Sequence, residues 1–155
     1  AYEIRKQAYW TQLAGGYHVY GHNDAWTAPE RWREWIDAPG SHHLCRFREI
    51  ITAIDGWWTL EPDPALIVEG AGGGNTLNVA ARAADGNWIL AYVSEPATVK
   101  LRLTEPAARS GYRVQVIQPA TGERLPPQAH PAQTQHTIST PSGWDDALVL
   151  FEALA

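Results

Sequence analysis

The hydrophobic pattern changes period once along the chain. Up to about residue 62 apolar positions recur at helical spacing, and beyond it they alternate with polar ones. Over residues 2–13, Tyr2, Tyr9, Trp10 and Leu13 share one face of an expected helix. Gly15-Gly16 ends it, because glycine enters the left-handed C-cap without a Cβ penalty. Tyr17–Gly21 then reads as a short strand, with Tyr17 and Val19 on one side and His18 and Tyr20 on the other. Thr27-Ala-Pro-Glu30 matches a capping box, and Pro29 fits a first turn. The helix so begun carries Trp32, Trp35 and Ile36 and is stopped by Pro39-Gly40. Ser41 caps a further helix whose face is Leu44, Phe47, Ile50, Ile51 and Ile54, closed by Asp55-Gly56. Trp57 to Pro64 is an extended hinge, since two prolines exclude a helix.

After the hinge the alternation predicts strands over 65–69, 76–84, 87–94, 98–104, 112–117, 134–140 and 146–154. Gly and Pro turn signals separate them, and Asp85-Gly86 between two alternating runs is a strong hairpin signal. Residues 126–131 read as a polar, proline-rich loop. Short strands at this spacing predict an antiparallel β-sandwich. The fold class is therefore α+β, a helical segment with one strand followed by a sandwich. The expected domain division is 1–62 and 63–155.

Composition sharpens this division. Six of the eight Trp precede Pro62, and only Trp88 and Trp144 follow it. With 45% hydrophobic residues the chain can bury a real core. The formal net charge is −5, and no run of Lys and Arg exists. Nucleic acid and anionic membrane surfaces are thus expected not to be partners. Cys45 is the single cysteine, which excludes an internal disulfide; its helical apolar setting predicts a buried, inert thiol. No apolar run of about 18 residues exists, so no transmembrane helix is expected. The start carries Glu3 beside Arg5 and Lys6, not a signal peptide. A first residue Ala in a chain without Met is read as a processed or truncated start.

Particular residues then bring a family into view. Arg5, Tyr9-Trp10, Leu13-Ala14-Gly15, Tyr20-Gly21-His22-Asn23, Trp26, Pro39-Gly40 and Trp57-Trp58-x-Leu60-x-Pro62-Asp63 stand in a spacing that resembles the C-terminal part of the apiosidase-like glycoside hydrolases. The second half is similar too, in Ala81-Arg82, Asp85-Gly-Asn-Trp88, Tyr92, Pro119-(x)2-Gly122-Glu123 and Asp145 to Leu150. The chain departs from the family where Val116-Ile117-Gln118 replaces an aromatic and where Asp146-Ala147 follows Asp145.

The resemblance implies that residues 1–62 are the tail of a (β/α)8 barrel and that the rest is the family's sandwich, which carries a collagen-binding label. It implies an extracytoplasmic or periplasmic setting and a carbohydrate partner for the intact parent. Barrel enzymes place function at the C-terminal ends of strands. Tyr20, His22, Asn23, Asp24 and Trp26 are accordingly the expected substrate-binding residues. The paired carboxylates of glycoside hydrolysis are expected upstream of this chain, so no catalytic residue is assigned here. Nor is a metal or cofactor expected, because His18 and His22 share a strand face without a third ligand in register. The Trp32, Trp35, Trp57 and Trp58 group is read as packing between helices and sandwich. The sandwich itself is left with three roles: a carbohydrate binder, a binder of collagen-like protein, or a brace for the barrel. Trp88 and Tyr92, on one strand face, would serve the first of these if exposed. The strand at 17–21, without neighbours, is a possible edge for self-association.

Overall fold

The computed structural model describes residues 1–27 and 29–154. Its centre is a strand pair that is apolar on both faces. These are β4 (Trp88–Val93), buried at every position, and β9 (Ala147–Ala153), buried over its first five. They pair antiparallel from Trp88↔Glu152 to Val93↔Ala147. A continuous apolar run is what a strand needs when both its faces are covered.

The covers are different. The six-stranded sheet runs β1 (Leu60–Pro62), β3 (Val79–Ala83), β4, β9, β6 (Tyr112–Ile117), β7 (Gln128–His130). One face packs on a three-stranded sheet of β2 (Ile67–Glu69), β5 (Thr98–Arg102) and β8 (Gln135–Ser139). That core contains Ile89, Ala91, Val149 and Phe151 against Val99 and Leu101. The other face takes Trp88, Leu90, Tyr92, Leu148 and Leu150 and packs on helices. The helices are α1 (Tyr2–Leu13) and α4 (Pro39–Thr52), which contribute Tyr9, Leu13, Ile50 and Ile51. The sandwich is thus two layers of three, with the six-stranded sheet in the middle.

The α+β architecture and all but one of the expected strands appear. The exception is Tyr17–Gly21, which belongs to no strand; the sheet neighbours a strand requires are absent among the described residues. Its side-chain alternation persists all the same. Tyr17 and Val19 are 89% and 86% exposed, while His18 and Tyr20 turn inward. Tyr20 lies over Gly40, where a Cβ would stand 3.0 Å from its hydroxyl and 2.6 Å from Ile4 Cδ1. Glycine is required there by close approach.

Other boundaries move for identifiable reasons. Pro39 begins α4 as its first residue, with Ala38 as N-cap, so Pro39-Gly40 starts a helix two residues ahead of the expected Ser41 cap. The capping box at 27–30 includes Ala28, which lies outside the described residues. Thr27 itself closes α2 (Asn23–Thr27), its hydroxyl donating back to the Asn23 carbonyl at 3.2 Å. The helix that carries Trp32, Trp35 and Ile36 is α3 (Trp32–Ile36). Residues 60–62 of the hinge already form β1, which pairs with β3, and the proline-rich loop contains β7. Helix α5 (Glu105–Ser110) fills the gap between β5 and β6. The first residues of two expected strands are instead 3₁₀ turns, Pro64–Leu66 and Gly74–Thr76.

Cys45 is exposed, not buried. The buried stripe of α4 is Gly40, Ile50 and Ile51, and Cys45 faces away from it. The Trp group is corrected as well. Only Trp57 packs against the helix-facing core, whereas Trp32 and Trp58 are exposed. Tyr9 and Trp10, with the isoleucines of α4, hold helices and sheet together instead.

Candidate functional site

The expected binding residues occupy an arm between α1 and α4. Gly15 takes the left-handed conformation at φ 82°, turning the chain out of α1 into the extended segment 16–22. Asn23 then opens α2, which places the Asp24 carboxylate in its first turn, at the positive end of the helix.

Three of the five residues are brought together. The His22 ring stacks on Trp35 at 4.7 Å between centroids and 13° between planes. Tyr20 meets the same imidazole edge-on at 6.4 Å. His22 Nδ1 accepts from the Asp24 backbone N–H at 3.3 Å, and the Asp24 carboxylate lies 3.8 Å away. Nδ1 is therefore the acceptor and Nε2 is left to carry a proton or meet a ligand. Asn23 makes no side-chain hydrogen bond among the described residues, and Trp26 is 89% exposed and stacks on no described ring.

Trp35, read from the sequence as interlayer packing, is the addition to this group. Its face is covered by His22, and the Arg31 guanidinium stands 5.8 Å from its ring centroid, held by Glu34 at 2.6 Å. Its indole Nε1 is buried without a hydrogen-bond partner among the described residues. The helical spacing that signals packing for Trp35 is the same one that presents it to His22, so sequence pattern does not separate the two. The arrangement offers aromatic faces, an imidazole and a solvated carboxylate. It suits hydrogen bonding to hydroxyls and contact with a C–H face. Asp24 is exposed, and among the described residues no second carboxylate is paired with it as the acid–nucleophile pair of glycoside hydrolysis would be.

A second polar cluster lies elsewhere, with Arg5, Tyr92 and Asp146 buried and His43 half-buried at its edge. Arg5 donates from Nε and Nη2 to the two oxygens of Asp146, both at 2.8 Å. Tyr92 donates to the same carboxylate at 2.7 Å, and Arg5 Nη1 meets His43 Nδ1 at 2.9 Å. Burial, then the Asp146 charge, pushes the Tyr92 hydroxyl well above its ordinary range. Burial and the neighbouring Arg5 hold His43 below the usual histidine value. The tie joins α1, α4, β4 and the start of β9. Trp88 and Tyr92 are themselves 8% and 0% exposed, so they form no surface row for a sugar. A cleft of about 560 Å³ beside Asp55, Asn87, Trp88 and Glu152 includes none of the expected binding residues. Among the described residues no group of three or more His, Cys, Asp and Glu is placed to hold a metal.

No family model matches the sequence, and no curated protein does. Solved structures do match the fold. A glycoside hydrolase superposes with a TM-score of 0.79 at 17% identity, over 98% of this chain. A glycoside hydrolase family 5 protein from Bacteroides vulgatus ATCC 8482 superposes with a TM-score of 0.82 at 16% identity, again over 98% of this chain. The chain spans 36% of the length of each. It has the fold of one part of a glycoside hydrolase.

Proposed function

We propose that this chain is the C-terminal portion of a glycoside hydrolase acting on polysaccharide, of the apiosidase-like kind that its sequence resembles. The observation that carries this reading is the match over 98% of this chain to only 36% of two glycoside hydrolase chains. Residues 1–62 are then the end of the barrel and 63–155 the appended sandwich, in an extracytoplasmic protein. Tyr20, His22, Asn23, Asp24 and Trp26 form one wall of the sugar site, joined by Trp35. The catalytic carboxylates belong to the remainder of the parent, and the chain by itself is silent. Purified protein is expected to release no product from aryl glycosides or pectic oligosaccharides; turnover at enzyme-like rates would sink the proposal.

For the sandwich the brace is favoured over a carbohydrate- or collagen-binding role. It is supported by the buried Arg5–Asp146–Tyr92 tie and by the burial of Trp88 and Tyr92, which a sugar-stacking face would need exposed. Glycan-array or collagen pull-down signal from the 155-residue chain would reverse that preference.

A further inference from the structure

The sandwich has one edge without the usual protection. β1 carries Glu61 and Pro62, β7 is bracketed by Pro127 and Pro131, and β2 ends on Glu69 paired with Lys100. Charges and prolines of this kind keep sheet edges from recruiting strands. β8, Gln135-His-Thr-Ile-Ser139, has neither charge nor proline.

Its register shows which groups are free. Leu103 N donates to Thr134 O at 2.8 Å and Thr140 N to Ala97 O at 3.0 Å, on either side of the pairing Thr98↔Ser139 to Arg102↔Gln135. Hydrogen-bonded pairs alternate along an antiparallel ladder. His136 and Ile138 are thus the β8 residues bonded to β5. Gln135, Thr137 and Ser139 turn their backbone N–H and C=O away from it, and all three residues are exposed.

Beside this edge the two sheets part around a slot of about 190 Å³. Val114, Val116, Leu125 and Ile138 supply its apolar wall, His130 and His136 also line it, and no lining residue is Asp, Glu, Lys or Arg. The volume is below the roughly 300–1,000 Å³ of pockets for drug-sized ligands, and it suits a side chain better than an oligosaccharide. Five edge residues also bury far less than the ~1,200–2,000 Å² of a stable protein interface, which favours a short segment over a second copy of the chain.

We propose that β8 and this slot form a site for an uncharged, extended peptide, which adds as an antiparallel strand and places an apolar side chain in the slot. Backbone bonds to Thr137 and its outward-facing neighbours give affinity, and the slot selects the side chain, as in other strand-addition sites. The proposal is independent of the glycosidase reading.

The test uses the full 155-residue chain in reductant, because Cys45 is exposed. The probe is acetyl-Ser-Val-Thr-Leu-Ser-amide carrying a fluorophore, read by polarisation. Saturable binding is expected, weakened at least tenfold when the central Thr is N-methylated. Thr137→Pro removes only an outward N–H, leaves the β5 ladder intact, and is expected to lose binding at least tenfold with an unchanged far-UV spectrum. Leu125→Trp fills the slot and is expected to do the same. Absent binding, equal binding of the N-methylated probe, or retention by either folded variant overturns the site. So does amide protection of β8 that rises with protein concentration without the probe, which would identify a second copy as the occupant.

Discussion

Asp146 shows how much one residue can hold. It stands 1% exposed between two Arg5 nitrogens and the Tyr92 hydroxyl, and so fixes α1 to both central strands. Removing one partner of a buried pair leaves the other charge desolvated, a loss of about 3–5 kcal/mol. Asp146→Asn is therefore expected to lower unfolding free energy by about that amount in urea titrations. Arg5→Met combined with Asp146→Leu is expected to be the milder change, because no charge is stranded. At the sequence level Arg5 is one residue of the family spacing and Asp146 a departure from the family pattern. Their meeting across 141 positions has no local signal.

Among the elements, β6, β7 and β8 meet through histidines. Tyr112 of β6 bonds His136 Nδ1 at 2.8 Å, Gln133 donates to the same hydroxyl, and His130 of β7 meets the His136 ring at 4.7 Å. Burial, then His130, holds His136 below its ordinary value, and His43 on α4 is lowered by burial and Arg5. Both are thus neutral in the fold over a range where the unfolded chain, titrating near ~6.5, takes up protons. Stability is expected to be full above that value and to fall as pH drops through it. Urea unfolding at pH 8 and pH 5.5 measures the slope, and His43→Gln with His136→Gln should flatten it. The helices and strands themselves were largely legible, since period and turn residues are local. The strand expected at 17–21 failed because a strand is defined by its neighbours, and the described residues provide none. β7 escaped notice because prolines flank a three-residue edge strand.

For the whole molecule the decisive fact is the double burial of the six-stranded sheet. A chain of residues 63–155 alone would lose β1 and uncover Leu90, Tyr92, Leu148 and Leu150 at once. Each such side chain gains about 1.5–3 kcal/mol by burial, so this truncation is expected to aggregate or to bind a hydrophobic dye strongly. A soluble, cooperatively unfolding 63–155 fragment would show that the sandwich does not need its helical layer. The arm at 14–38 is the reverse case. Its Tyr17, Val19, Trp26 and Ile36 are exposed, so these side chains gain little by burial here.

The sequence by itself determined the helical and alternating halves and the hairpin at Asp85-Gly86, because periodicity and turn chemistry are properties of neighbouring residues. Only the tertiary structure decided that helices cover the outer face of the sheet, that Arg5 is buried on Asp146, and that His22 lies on Trp35. Each of these joins positions far apart in the chain, and the packing that selects them is created by the fold as a whole.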